Sequence, residues 1–247
     1  MTRIVLLFIL VSLTIPARAY FQQELMKQKV AKKEASRWTL TDWLSQKRKI
    51  SLWDQWLAMN RSANFFENNL SAGHGQYTMT TTDASGNKTK DKLDFQSYGL
   101  DIFFTIFNLY GEYEKTSDDR ESYGGAAGLR LLGTSSQSTN LVARYGWRKL
   151  NSMRDGEVWE NQFAEGVLDL YVFKYGGLSG KYRNYFSNES NLDGKLGGTR
   201  AGGGLFFEYG ILRVFGDVFQ EKLEIDRAGV KTKLDREGYL AGLKLFF

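Results

Sequence analysis

The sequence has 247 residues, with 33 Lys and Arg against 28 Asp and Glu, one His, one Pro and no Cys. The lack of cysteine excludes a disulfide framework, a thiol nucleophile and a lipidated N-terminal Cys. The formal charge of +5 is no nucleic-acid footprint: it falls to +3 without Arg3 and Arg18, residues 20–63 hold nine cations against four acids, and the remainder holds 22 against 24.

Residues 1–19 read as a secretory signal. Arg3 gives the positive start, Ile4 to Val11 the apolar run, and Ala17-Arg18-Ala19 a small-x-small cleavage site. The run is shorter than the roughly 20 residues a membrane helix needs. Pro16, the only proline, lies in this segment, so the rest of the chain is free to donate every ladder hydrogen bond.

Residues 20–63 read as helical. Thr39-x-x-Asp42 and Ser51-x-x-Asp54 resemble capping boxes and would open helices over about 40–49 and 52–60. Leu52, Trp53, Trp56 and Leu57 would share one face of the second. Tryptophan beside Lys47-Arg48-Lys49 suits a helix lying in a lipid interface, with Trp53, Trp56 and Leu57 inserted. A small helical cap or plug at a barrel mouth is the alternative.

From residue 64 the grammar is that of strands. The expected strands are 66–81, 93–107, 109–116, 122–132, 139–149, 160–173, 178–186, 199–209, 211–224 and the segment ending at Phe247. Most alternate with period two, apolar on one face and polar or charged on the other. In the last, Tyr239, Ala241, Leu243, Leu245 and Phe247 share a face. In the first, Leu70 and Ala72 fall on the opposite parity to Tyr77 and Met79, and a bulge near Gly73-His74-Gly75 would reconcile them.

Connections near 108, 133–138, 174–177 and 210 are short. Those near 82–92, 117–121, 150–159, 187–198 and 225–235 are longer and polar. Short turns at one rim and long loops at the other predict a transmembrane antiparallel up-and-down β-barrel of ten strands; eight or twelve need a merged or split strand. A mean hydropathy of −0.40 is compatible with this, because only alternate residues face lipid. The organisation expected is thus a signal (1–19), a periplasmic helical segment (20–63) and a barrel (64–247). Tyr98, Tyr145, Trp147, Tyr182, Tyr209 and Tyr239 are expected at girdle or lipid-facing positions.

This strand grammar, with the signal and the terminal aromatic strand, resembles small bacterial outer-membrane β-barrel proteins. In that class the last strand resembles polar-x-Gly-x-x-apolar-x-apolar and is read by the insertion machinery. Gly242, Leu245 and Phe247 match, and Tyr239 extends the apolar face; the polar position falls on Leu240, a departure. The resemblance implies export, an outer-membrane location, lipid as the surrounding partner and contact with the insertion machinery. It nominates no subfamily.

Three constellations are candidates for function. Asp101, Arg130, Arg144, Arg148, Glu165, Asp169, Arg200, Glu208, Arg213, Asp217 and Lys244 fall opposite the apolar face and would form a charge network in the lumen. Isolated buried ions are costly, so mutual pairing is expected, with a thin polar channel as the functional alternative. The lone His74 would need an orienting carboxylate to act as a base; hydrolases of the resembled class set a His beside Asp, or beside Ser and Glu. No Asp pair can be placed with it, and a bulge or lumen position is expected. The segments 117–121 and 187–191 read as solvated loops able to meet a partner. No cofactor loop, metal cluster or enzyme site is predicted. A structural or surface-interaction role leads, followed by a narrow pore and, distantly, a membrane-embedded hydrolase.

Overall fold

The computed structural model describes residues 66–152, 157–189, 194–227 and 229–247. The expected signal and helical segment, with Trp53, Trp56 and Leu57, lie outside the described residues. Ten strands follow one another: β1 (Phe66–Thr82), β2 (Lys88–Phe104), β3 (Phe107–Thr116), β4 (Arg120–Leu132), β5 (Asn140–Ser152), β6 (Glu157–Phe173), β7 (Gly176–Glu189), β8 (Gly194–Tyr209), β9 (Leu212–Arg227) and β10 (Val230–Phe246). Each pairs antiparallel with its sequence neighbours, and β1 pairs with β10 to close the barrel. That seam runs from Asn69↔Phe246 to Thr82↔Lys233 without a register shift. Phe247 and Asn68 add reciprocal backbone bonds at its end, 2.8 and 3.2 Å.

The period-two pattern sets the two faces. Leu100, Leu109, Leu129, Leu168, Leu178, Leu205, Val214, Val218 and Leu243 point outward and are exposed. Aromatics ring this apolar band at both edges. Phe66, Phe104, Phe107, Phe173, Phe207 and Tyr209 lie towards the short-turn rim, whereas Tyr98, Tyr145, Trp147, Tyr182 and Tyr239 mark the other edge; all are exposed. On β10, Tyr239 and Phe247 are eight residues apart, about 20 Å along a tilted barrel axis. That is close to the apolar band of a transmembrane barrel, roughly 25 Å.

The strands continue past the second edge, and here the loops expected from sequence are corrected. β2 begins at Lys88 and β10 at Val230, so polar stretches read as loops are strand. Among the described connections, 83–87 and 117–119 are tight turns. Asp83 closes the first by accepting bonds from the backbone NH groups of Ser85 (2.9 Å) and Asn87 (2.8 Å) and from the Asn87 amide (3.0 Å). A 17-residue strand rises on the order of 40 Å when tilted, which exceeds the apolar band. The excess projects as hairpins with polar outer faces, such as that of Lys88, Lys90 and Lys92.

Two further expectations fail. β1 carries no bulge at Gly73-His74-Gly75: its register with β2 and β10 is continuous. Tyr77 and Met79 face inward and are buried, so the clash of parity in the sequence reflects an apolar cluster inside the barrel. The turn expected at Asn108 sits at Thr105-Ile106 instead, where Thr105 adopts a left-handed φ of 57°. Asn108 is a buried residue of β3.

Candidate functional site

The inward face carries a stack of ion pairs in three tiers. Nearest the short-turn rim, Arg130 meets Glu67 at 3.2 Å, and Arg213 meets both Asp169 (2.6 Å) and Glu208 (2.9 Å). In the middle tier Arg144 bridges Asp101 (2.5 Å) and Glu165 (2.9 Å), and Arg183 bridges Glu165 (2.6 Å) and Glu112 (2.5 Å). Asn108 joins them, donating to Asp101 at 3.1 Å and accepting from Arg144 Nε at 2.7 Å. In the third tier Arg148 meets Glu221 (2.9 Å), and Arg236 meets Glu221 and Glu114 (both 2.6 Å).

Arginine dominates this network for a geometric reason. Its flat guanidinium can fork carboxylates along its edge while a ring packs on its face. Arg130 lies 4.2 Å over Phe103, Arg144 4.2 Å over Tyr110, Arg183 4.0 Å over Phe163, Arg213 4.1 Å over Phe206 and Arg236 4.1 Å over Tyr77. The lumen is therefore packed with alternating rings and ions, which is how charges are tolerated away from bulk water.

Both ends of the lumen are filled. Towards the projecting hairpins, Trp159, Phe163, Tyr185, Leu196 and Leu223 form one buried cluster, and Tyr77, Met79, Phe95 and Phe219 another. Gly75 makes the second possible: a Cβ there would lie 2.6 Å from the Phe95 ring. At the opposite rim the connection between β4 and β5 folds inward, and Thr134, Ser135, Ser136, Gln137 and Ser138 are all buried. Glu67 accepts from the Ser136 NH (2.8 Å) and Oγ (2.5 Å). Gln137 Nε2 donates to Glu208 (2.8 Å) and to the Gly210 carbonyl (2.6 Å), and Arg213 donates to the Ser136 carbonyl at 3.2 Å.

All eleven charged residues singled out from sequence point inward. Arg130, Arg144, Arg148, Glu165, Asp169, Glu208 and Arg213 are buried in the tiers, with Asp101. Arg200 (3.4 Å from Glu114) and Lys244 (3.7 Å from Asp101) pair loosely, and Asp217 accepts from Ser179 Oγ at 2.7 Å. Sequence reasoning missed Glu67, Glu112, Glu114, Lys181, Arg183, Glu221 and Arg236, although each obeys the same parity. The inward turn had no such signal, because a Ser-rich turn reads as solvated.

The seam residues divide by parity too. Tyr239, Leu245 and Phe247 face outward, and Gly242 faces inward, where a Cβ would meet the Phe215 ring at 2.7 Å. His74 is corrected: it is an exposed residue of the outer face, in register with Ala241 and Gln96, and occupies neither a bulge nor the lumen. Among the described residues no group of three His, Asp or Glu side chains could hold a metal ion.

No family model and no curated protein matches the chain. Solved structures similar to it include the outer membrane protease OmpT from Escherichia coli, at 10% identity and a TM-score of 0.47, covering 74% of this chain and 96% of that one. The attachment invasion locus protein Ail of Yersinia pestis, in complex with the heparin analogue sucrose octasulfate, shares 12% identity over 74% of this chain and all of its own, with a TM-score of 0.30. The outer membrane protein OprG from Pseudomonas aeruginosa shares 11% over 75% and 98%, with a TM-score of 0.28.

Proposed function

We propose that this chain is an integral outer-membrane barrel, closed to the passage of solutes, that acts through the hairpins projecting beyond its apolar band. The observation that carries the reading is the filled lumen: ion tiers in the middle, apolar clusters at one end and the buried 133–139 turn at the other. A barrel built this way is a rigid post in lipid, and its projecting strands are what remains to meet a partner. The β1–β2 hairpin offers an outer face of Lys88, Lys90 and Lys92, none of which forms an ion pair among the described residues, set beside Thr78, Thr80 and Thr82 in register.

Planar-bilayer recording on the purified full chain tests the reading. It predicts no stable conductance steps, and sustained openings of the unmodified protein would overturn it. A narrow pore is the second reading, favoured by the 133–139 turn, which is tied by hydrogen bonds and could swing aside without dismantling the barrel wall. Replacing residues 134–138 by Gly-Gly separates the two: a variant that conducts points to a gated pore. The outward-facing His74 lends a hydrolase no support.

A further inference from the structure

The β1–β2 hairpin ends in a ladder with one side unused. Ser117, in the turn after β3, donates its NH to the Asp94 carbonyl at 2.9 Å, and Ser117 Oγ accepts from the Asp94 NH at 3.3 Å. Both backbone groups of Asp94 therefore point away from β1. Alternate residues of a strand direct their NH and C=O to the same side, so Lys92, Lys90 and Lys88 point theirs the same way. Thr89, Asp91 and Leu93 turn theirs to β1. The pairing with β3 stops at Phe95, so the three lysines have no ladder partner on that side among the described residues.

Their side chains give this free edge a charge pattern. Lys88, Lys90 and Lys92 stand together on the outer face, exposed, and in register with the neutral Thr82, Thr80 and Thr78. The carboxylates of the neighbourhood do not cancel the row. Asp91 lies on the opposite face of β2, and Asp94, at the foot of the row, accepts from the Gln76 amide at 2.8 Å. One strand beyond β1, Lys233, Asp235 and Glu237 of β10 are mixed in sign.

We propose that this edge takes up an extended acidic segment of another protein as an additional strand, which presupposes that the projecting hairpins are the working part of the molecule. The incoming backbone would satisfy the free NH and C=O groups of Lys88, Lys90 and Lys92. Carboxylates at its alternate positions would lie across from the lysines, where opposite charges stabilise a cross-strand pair. The residues between them would face Thr89, Asp91 and Leu93, a setting that suits a hydroxyl or basic side chain beside Asp91 and an apolar one beside Leu93. The same lysine row repels a second copy of the hairpin, so charge chooses the partner and the ladder holds it.

The test is fluorescence anisotropy on the full-length folded protein in a neutral detergent, titrated into a labelled, end-capped peptide that alternates Glu with Thr. Saturable binding of about one peptide per chain is expected. Two control peptides should bind at least tenfold more weakly: one with Lys in place of Glu, and one that keeps Glu but is N-methylated along its backbone. Lys88→Glu/Lys90→Glu/Lys92→Glu should reverse the preference between the Glu and Lys peptides while the unboiled protein keeps its folded gel mobility. Absence of saturable binding, equal binding of either control peptide, or an unreversed preference in the folded variant would each overturn the proposal. The control peptides meet the unmodified protein, so they decide the matter even if the variant fails to fold. Failed binding by a barrel that stays closed in planar bilayers would overturn the acidic partner alone, whereas conductance would overturn the function proposed above.

Discussion

Arg130 and Glu67 are both fully buried and meet at 3.2 Å, so removing either one breaks a buried ion pair. Arg130 also donates to the carbonyls of Thr105 (3.2 Å) and Thr134 (3.3 Å). Arg130→Met should therefore destabilise the barrel by about 3–5 kcal/mol, the usual cost of breaking a buried pair from one side. Adding Glu67→Gln should restore most of that loss, since a neutral amide can still bond Ser136. Urea unfolding in lipid vesicles measures both, and an equally unstable double variant would mean that the pair holds something beyond its own charges. Outside the membrane, the Asp83 carboxyl is held below its ordinary value of 3.8, chiefly by the Asn87 side-chain amide and then by backbone NH groups of the turn. A lowered folded value means the stabilisation is present above pH 3.8 and fades as pH falls through the lower folded midpoint. A carboxyl NMR titration should place Asp83 below 3.8 and Asn87→Ala should move it back up; an unmoved midpoint would discount the amide.

At the scale of the element, β2 shows how a projecting strand is kept from pairing with another molecule. It pairs with β3 only from Phe95 to Phe104, and Asp94 is bonded to Ser117, so Lys88–Leu93 has β1 on one side and, among the described residues, no paired strand on the other. Lysines at alternate positions are a common guard on such an edge, because a second strand would have to lay its own side chains against their charges. Lys88→Val/Lys90→Val/Lys92→Val should leave the barrel folded but cause concentration-dependent self-association, visible by light scattering of the refolded protein. A triple variant that stays monomeric would assign the lysines wholly to another purpose. The strands were legible in the sequence wherever lipid sits on one side and ions on the other, since that contrast is what period two reports. Tyr77, Met79, Phe95, Phe163 and Phe219 broke the pattern because the lumen keeps its own apolar clusters, and inside and outside then look alike. Asn favours turns, but Asn108 is used for its amide, which satisfies Asp101 and Arg144. Polar residues on both faces of the projecting hairpins likewise read as loop in the sequence, although the backbone continues as ladder.

For the molecule as a whole, the outer surface should report its depth in the bilayer. Leu205 is 66% exposed and lies four residues from Tyr209 at one aromatic edge and four from Ala201, which is in register with Tyr182 at the other. It should therefore lie near the middle of the apolar band, whereas Thr80 is on the projecting part of β1, in register with Lys90 and Asp235. An arginine at the bilayer midplane costs a transmembrane barrel roughly 2–4 kcal/mol, falling to about 0–1 near the interface. Leu205→Arg should accordingly lose stability in that range in lipid vesicles, and Thr80→Arg should be nearly silent. Neither side chain packs inside the barrel, so the difference isolates the surrounding solvent from the fold. Equal costs at the two positions would mean that the aromatic rings do not mark the limits of the hydrocarbon, and the placement of the hairpins beyond it would fall with them.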